Sequence, residues 1–174
     1  DAMREFYDHH YANVHRGVYT LAERATAGYE GAREKVRKYV NAPSSREVIF
    51  TRSATEALNL IAYAWGLENL GPGDVVVITE LEHHSNFVPW QFIAKRTGAQ
   101  FAHIPIDDLG ELQLDSLDEI ASRGNVKVVA NNLVSNSLGT INPVEKLAAW
   151  AHDQGAIMVV DAAQAAPHKA IDVQ

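Results

Sequence analysis

The chain has 174 residues, of which 47% are hydrophobic and 21% are charged, a mixture typical of a globular domain rather than a disordered segment. The 15 Lys and Arg residues against 22 Asp and Glu residues leave a formal net charge of −7, which disfavours a nucleic-acid-binding surface. Cysteine is absent, so disulfides, thiolate metal ligands and a thiol nucleophile are excluded within these residues. No apolar run approaches the roughly 20 residues that would span a membrane.

Short runs rich in Val and Ile alternate with helical stretches along the chain. Strands are predicted at residues 48–51, 74–79, 101–106, 126–134 and 156–161. Near-continuous apolar strands are typical of parallel sheets that are covered on both faces. The sequence therefore predicts one α/β domain, with a mostly parallel sheet and helices on both faces.

Helices are predicted at about 17–40, 55–65, 85–96, 115–122 and 143–153. The last of these has the clearest boundaries. Asn142 is a candidate N-cap, Pro143 suits the first helical position, and Gly155 suits the end of the helix. In a parallel α/β sheet, ligands bind beyond the carboxyl ends of the strands, so the residues that follow each strand are the candidates for function.

Small residues stand at the turn Ser53-Ala54-Thr55, between a predicted strand and a helix. Backbone N–H groups of Ala54 and Thr55 at the helix start can bind a phosphate, helped by the helix dipole and the Thr55 hydroxyl. Ordinary N-capping by Ser53 or Thr55 explains the same pattern. Spacing alone leaves both interpretations open.

His83 follows the strand at 74–79, and Asp161 ends the strand at 156–161. An imidazole at a strand end can stack on a flat ligand or act as a base, but a surface histidine is the simpler alternative. A carboxylate at the end of an apolar strand can hold a cationic ring nitrogen, a metal ion or a helix N-terminus. No histidine spacing of a familiar zinc site occurs.

Other polar side chains have the same two interpretations. Gln164 lies three residues after Asp161, and Asn136 follows the strand at 126–134. Both can line a crevice at the sheet edge, although Asn136 also suits a plain turn. Near the start, His15 and Arg16 can bind a carboxylate, or lie in a solvated loop.

The order of these motifs resembles the SUF-type (group II) cysteine desulfurases, which are fold type I enzymes of the class V aminotransferase family. The resemblance covers almost the whole chain. It rests on this series of motifs: His15-Arg16-Gly17, Thr55-Glu56, Glu82-His83-His84-Ser85-Asn86, Val134-Ser135-Asn136 and Asp161-x-x-Gln164-Ala165.

The resemblance implies pyridoxal 5′-phosphate (PLP) as cofactor. It assigns the PLP phosphate to Ala54 and Thr55 and the ring-stacking, catalytic role to His83. Asp161 is assigned to the ring nitrogen and Gln164 to the phenolic oxygen. Asn136 is expected beside the ring and the substrate carboxylate, with His15 and Arg16 at the substrate entrance.

Three positions depart from the family pattern. Ser53 stands where the family usually has Gly, Leu133 where it often has His, and Ala162 where Gly is frequent. The Schiff-base lysine of the family follows the Asp-x-x-Gln motif, on a further strand, and Lys169 is too close to Gln164 to be that lysine. We therefore expect residues 1–174 to be a partial large domain that is inactive alone and lacks the lysine strand and C-terminal domain.

The implied reaction converts L-cysteine to alanine and leaves a persulfide on a cysteine elsewhere in the protein. The resemblance further implies a cytoplasmic homodimer that passes sulfur to a SUF-type acceptor for iron–sulfur cluster assembly, with no nucleic-acid or membrane partner. A selenocysteine lyase or another class V enzyme has most of the same motifs. A non-catalytic fragment is the alternative outside enzymes.

Overall fold

The computed structural model describes all 174 residues, which divide into two compact units. The N-terminal unit comprises Asp1–Phe50 together with Ala170–Gln174, and the second unit comprises Thr51–Lys169. The sheet lies in the second unit, which is the part that the alternating pattern describes. None of the helices is long and apolar enough to cross a membrane.

The N-terminal unit is helical. It contains α1 (Ala2–His9) and α2 (Thr20–Tyr39), followed by a short 3₁₀ turn at Ser45–Glu47. The predicted helix at about 17–40 is confirmed as α2, whereas α1 was not predicted. The C-terminal tail belongs to this unit because the Val173 N–H donates to the carbonyl of Val40 at 3.1 Å.

The strand predicted at 48–51 is wrong, since these residues form no ladder with any strand. Instead, the guanidinium of Arg33 donates from Nη1 to the carbonyl of Val48 at 3.0 Å. The ring of Phe50 packs edge-on against Tyr29, with 5.3 Å between the centroids. β-branched composition predicted a strand here, but helix α2 supplies the partners instead.

The second unit is built on a four-stranded parallel sheet in the order β2-β1-β3-β4. The strands are β1 (Asp74–Thr79), β2 (Gln100–Ile104), β3 (Asn125–Asn132) and β4 (Ile157–Asp161). The remaining four strand predictions are confirmed, and β1 has the predicted bounds. Strand β3 ends two residues earlier than predicted, because Val134 bridges antiparallel to Ile141 in the following turn.

The helices of this unit lie close to their predicted positions. They are α3 (Ala54–Ile61), a π-helical turn at Ala62–Gly66, α4 (Leu67–Asn69), α5 (His84–Thr97), α6 (Leu117–Ser122) and α7 (Val144–Asp153), with a 3₁₀ turn at Leu114–Ser116. Gly98 ends α5 in the left-handed conformation at φ 80°, as a glycine C-cap does.

Alternate residues of the central strand face two separate apolar layers. Val76 and Ile78 pack with Trp90 in the layer that includes α3 and α5. Val75 and Val77 pack with Leu147 in the layer that includes α6 and α7. The sheet is thus covered on both faces, as its near-continuous Val/Ile runs predict.

The prediction that Asn142 caps α7 is wrong. The helix begins after Pro143, with no side-chain cap. The Asn142 side chain is buried and donates from Nδ2 to the backbone carbonyl of Asn132 at 2.8 Å. Asn142 therefore holds the end of β3 instead of the start of a helix.

The order of the strands places a crevice at one point on the sheet edge. From β1 the chain moves outward to β2, and then returns to the opposite side of β1 for β3 and β4. The connections that follow β1 and β3 therefore leave the sheet in opposite directions, and such a switch point is where open α/β sheets bind ligands.

Candidate functional site

A cavity of about 270 Å³ lies at the carboxyl ends of the strands. Four connections contribute its walls: the turn before α3, the turn after β1, the end of β3 with the turn that follows, and the end of β4. The lining residues are Ser53, Ala54, Thr55, His83, Ser85, Asn132, Val134, Asn136, Asp161, Ala163 and Gln164. Every predicted cofactor-binding residue lines this cavity.

The turn before α3 presents free hydrogen-bond donors to the cavity. Ser53 is the N-cap, because its Oγ accepts the N–H of Glu56 at 3.2 Å. Ala54 and Thr55 occupy the first helical positions, where backbone N–H groups have no partner within the helix. Capping is thus the role of Ser53, which leaves the N–H groups and the hydroxyl of Thr55 for a ligand.

His83 precedes α5 and caps it with its own ring. Its Nδ1 accepts the backbone N–H of Ser85 at 3.1 Å and lies 2.7 Å from the Ser85 hydroxyl. An acceptor at Nδ1 places the proton of the neutral ring on Nε2. The side chain is exposed along the cavity wall, so a ring face is open to a flat ligand.

Asp161 ends β4 and is buried. One of its oxygens, Oδ1, accepts the N–H of Ala163 at 3.0 Å. The backbone carbonyl of Asp161 accepts the N–H of Leu133, at 2.9 Å, which continues the ladder beyond β3. Oδ1 is thus held by the backbone just after β4, and the carboxylate lines the cavity.

Asn136 and Gln164 are exposed residues that line the cavity. Asn136 lies in the turn between Val134 and Ile141, which is closed by the bond from the Ser135 N–H to the Thr140 carbonyl, at 2.9 Å. Their side-chain amides add both donors and acceptors to a wall that otherwise carries a carboxylate and an imidazole.

His15 and Arg16 lie in the N-terminal unit, whereas all residues that line the cavity belong to the second unit. His15 has a left-handed backbone, with φ 68°. Its N–H donates to the Thr26 hydroxyl at 3.0 Å, and its Nε2 lies 2.8 Å from a carboxylate oxygen of Glu30. These contacts fix the position of the His15 ring within its own unit.

Sequence reasoning missed two groups beside the predicted set. Asn132 lines the cavity, and the signal was a polar residue at the end of an otherwise apolar strand. Glu82 was quoted only as part of a motif. Its Oε1 accepts the Thr79 hydroxyl at 2.6 Å and the Asn132 N–H at 2.9 Å, and its Oε2 accepts the Asn86 side-chain amide at 2.7 Å.

Burial raises the pKa of the Glu82 carboxyl above its ordinary value. The three hydrogen bonds to this carboxyl act in the opposite direction, because they stabilise the ionised form. The negative charge of Asp161 adds a further upward contribution to the pKa of Glu82. Two carboxylates thus interact at this edge of the sheet.

A second, more apolar cavity of about 410 Å³ adjoins the first and shares Thr55, His83 and Ser85 with it. Its outer wall includes the rings of Tyr63 and Phe92, with 6.3 Å between the centroids. The first residues of α3 and α5 therefore supply polar groups to the first cavity. Residues further along the same two helices supply apolar groups to the second cavity.

Comparison with known proteins identifies the family. The fold class is an α/β unit with a parallel sheet and a cavity at the strand ends. The chain belongs to the aminotransferase class-V family, which matches residues 1–174. Proteins of this family depend on PLP.

Relatives by sequence include cysteine desulfurases. A probable cysteine desulfurase of Halalkalibacterium halodurans is 51% identical over 174 residues, covering 100% of this chain and 43% of the relative. A cysteine desulfurase of Haloferax volcanii is 46% identical over 175 residues, covering 100% of this chain and 41% of the relative.

Solved structures of cysteine desulfurases are also similar to this chain in fold and sequence. The apo structure of the cysteine desulfurase from Thermococcus onnurineus matches with a TM-score of 0.91 and 42% identity, over 99% of this chain and 42% of that one. The cysteine desulfurase CsdA of Escherichia coli matches with a TM-score of 0.86 and 37% identity, over 99% of this chain and 43% of that one. The chain spans under half the length of these relatives.

Proposed function

We propose that the cavity at the strand ends binds PLP, and that the chain forms the N-terminal part of the large domain of a cysteine desulfurase. One observation carries the proposal. A helix start with free N–H groups, an open imidazole face and a buried carboxylate all line the same cavity of about 270 Å³. PLP carries a phosphate, an aromatic ring and a basic ring nitrogen, so this set of side chains fits it.

In this proposal the phosphate is held at the start of α3. The N–H groups of Ala54 and Thr55 are donors, the helix dipole favours the anion, and the Thr55 hydroxyl adds a further hydrogen bond. Ser53 does not compete for the phosphate, since its hydroxyl is engaged with Glu56. The departure from glycine at this position is thus compatible with a phosphate site.

The ring is assigned to the space between His83 and Asp161. His83 stacks on the ring, and its capping bond to Ser85 keeps the imidazole from rotating. Asp161 holds a proton on the ring nitrogen through Oδ2, while Oδ1 is fixed by Ala163. Gln164 and Asn136 are assigned to the polar substituents of the ring, and Asn136 also to the substrate carboxylate.

When bound, PLP supplies an electron sink that stabilises negative charge on the substrate carbon beside the ring. Asp161 strengthens that sink because its charge keeps the ring nitrogen protonated. His83 carries a proton on Nε2 and is assigned to proton transfer beside the ring. The residues in these roles lie together at one edge of the sheet.

The proposed reaction converts L-cysteine to L-alanine, and the sulfur passes to a cysteine thiol outside these residues, since the chain contains no cysteine. The proposal includes His15 and Arg16 at the substrate entrance, a homodimer, a cytoplasmic location and a SUF-type sulfur acceptor for iron–sulfur cluster assembly. Its support is the resemblance of the motifs and the desulfurase names of the relatives.

The test is to titrate the full-length protein with PLP and to measure alanine formed from L-cysteine and from L-selenocysteine. We expect one PLP per chain, and alanine from L-cysteine. Asp161→Asn keeps the acceptor for Ala163 and removes the charge, so it should weaken PLP binding and slow alanine formation. Asp153→Asn, on the exposed end of α7, is the matched control. Absence of PLP binding, or alanine from selenocysteine alone, would contradict the proposal.

A further inference from the structure

Glu82 joins three elements of the sheet edge through a single carboxylate. Thr79 is the last residue of β1, Asn86 lies in the first turn of α5, and Asn132 is the last residue of β3. Each donates a hydrogen bond to Glu82, and the three distances are 2.6 to 2.9 Å. Glu82 itself is not a cavity residue, but it lies directly before His83.

The directions of these hydrogen bonds are fixed by further partners. The Thr79 hydroxyl accepts the N–H of Leu81 at 3.2 Å, which leaves its own proton for Glu82. The Asn86 amide oxygen accepts the indole N–H of Trp90 at 3.3 Å, which turns the NH₂ group toward Glu82. The third donor is a backbone N–H. All three partners are therefore donors, and only an acceptor at both oxygens satisfies them.

The contacts lead from Glu82 to two of the proposed cofactor residues. Asn132 is the register partner of Asp161 across the β3–β4 ladder. On the other side, His83 follows Glu82 in the chain and is fixed by its bond to Ser85. The Glu82 carboxylate thus links the turn that carries His83 to the strand end beside Asp161.

A partly buried carboxylate is costly, because removal from water disfavours its charge. Burial raises the pKa of Glu82, and the nearby charge of Asp161 raises it further. An apolar residue would avoid the cost of burying a charge, but it would leave the three donors of Thr79, Asn86 and Asn132 without an acceptor. An ionisable group that is buried at a cost beside a ligand cavity is a marker of function. The hydrogen bonds of Glu82 indicate that this function is to position the neighbouring cavity residues.

We propose that Glu82 is a positioning residue of the cofactor site, which sets the spacing between the His83 ring and the Asp161 carboxylate. This inference rests on the proposed function, because it assigns PLP to the space between those two side chains. Replacing Glu82 with Gln puts an NH₂ group against at least one of three donors. The turn that carries His83 or the end of β3 must then move, and the space for the PLP ring between His83 and Asp161 changes with it.

The test compares Glu82→Gln with Glu80→Gln in the full-length protein. Glu80 is an exposed carboxylate in the same turn, and its Oε2 accepts the Ile106 N–H at 3.2 Å. Its variant therefore removes an equal charge without changing the three hydrogen bonds to Glu82. Two quantities are measured: the dissociation constant of PLP and the visible circular dichroism per bound PLP, which reports the orientation of the ring. The melting temperature of the apoprotein is recorded beside them.

We expect Glu82→Gln to weaken PLP binding about tenfold or more and to reduce the visible dichroism per bound PLP, while Glu80→Gln matches the wild type. Unchanged affinity and dichroism in Glu82→Gln would overturn the inference and leave the proposed function intact. A lower melting temperature with unchanged dichroism would also overturn it, since Glu82 would then be structural only. A wild-type protein that binds no PLP would overturn both.

A second pair of variants decides the question if Glu82→Gln does not fold. Thr79→Val keeps the shape and removes one donor to Glu82, whereas Thr79→Ser keeps the hydroxyl. We expect the valine variant to lower the dichroism per bound PLP and the serine variant to restore it. Equal dichroism in the two variants would contradict the positioning role.

Discussion

The ring of His83 accepts the backbone N–H of Ser85 at 3.1 Å, so the residue assigned to stacking is also the N-cap of α5. Two roles therefore depend on one imidazole. The cap stabilises the helix, and the open face serves the ligand. Because asparagine is a good N-cap without an aromatic ring, the two roles are separable by substitution.

We predict that His83→Asn changes the free energy of unfolding of the apoprotein by no more than about 0.5 kcal/mol. PLP affinity should fall about tenfold or more, since about 1.4 kcal/mol of stacking is lost. Chemical denaturation and a PLP titration measure the two effects. His83→Ala is the comparison, and it should lose both the cap and the affinity. Equal PLP affinity in wild type and His83→Asn would contradict the stacking assignment.

At the start of α3, the contributions to helix stability and to PLP binding should likewise belong to different residues, Ser53 and Thr55. Ser53→Ala removes the N-cap, and we expect about 1 kcal/mol of lost stability with PLP affinity retained per folded molecule. Thr55→Val removes the hydroxyl at constant shape, so PLP affinity should fall about tenfold with little loss of stability. Denaturation curves and PLP titrations test both variants. A Ser53→Ala variant that loses affinity instead would place the phosphate on Ser53.

The raised pKa of Glu82 has a consequence for stability against pH. The folded state keeps the Glu82 proton to a higher pH than the unfolded state does. The contribution of Glu82 to the free energy of unfolding therefore falls as pH rises from the ordinary value of 4.5 through the raised value. Unfolding of wild-type and Glu82→Gln apoprotein, measured from pH 4 upward, should show the variant gaining relative stability over this interval.

The free energy of unfolding of the matched variant Glu80→Gln should change with pH in parallel with that of the wild type over the same pH interval. Asp161 is the other carboxylate that interacts with Glu82, so Asp161→Asn should narrow the interval by lowering the pKa of Glu82. A wild-type curve that rises relative to Glu82→Gln over this interval would show that the pKa of Glu82 is depressed in the folded state.

A side chain at Gly124 should destabilise the fold. A Cβ at this position would lie 2.5 Å from the backbone carbonyl oxygen of Gly73. That carbonyl also accepts the N–H of Asn125 at 2.9 Å, so it cannot move away without losing a hydrogen bond at the start of β3. We expect Gly124→Ala to cost about 1–3 kcal/mol of unfolding free energy. Gly28→Ala, on α2 with open space around it, is the control and should be neutral or stabilising.

The sheet and its helices were largely predictable, because the Val/Ile runs that predict strands, and the helical stretches between them, are local patterns. Strand β1 was predicted to the residue, and the helix predicted at about 85–96 is confirmed as α5. The false strand at 48–51 shows the limit of this reasoning. Composition predicts a strand, but only a neighbouring strand makes a ladder, and here Arg33 supplies the partner instead.

The cavity was predicted from strand-end residues, which the topology brings to one edge. The contacts that tie one strand end to another element were not predictable, since they join residues distant in the chain. Glu82 and Asn132 are 50 positions apart, and Asn142 reaches back to β3 instead of capping α7. No local pattern indicates such a partner.

The walls of the cavity come from strand ends, helix starts and the turns beside them, whereas the two apolar layers come from the bodies of the strands and helices. A substitution at the cavity wall therefore alters the site while the sheet keeps its hydrophobic cores. A substitution in the connection 133–141 would change the cavity wall formed by Val134 and Asn136, whereas one in the layers would be tolerated mainly when volume is conserved.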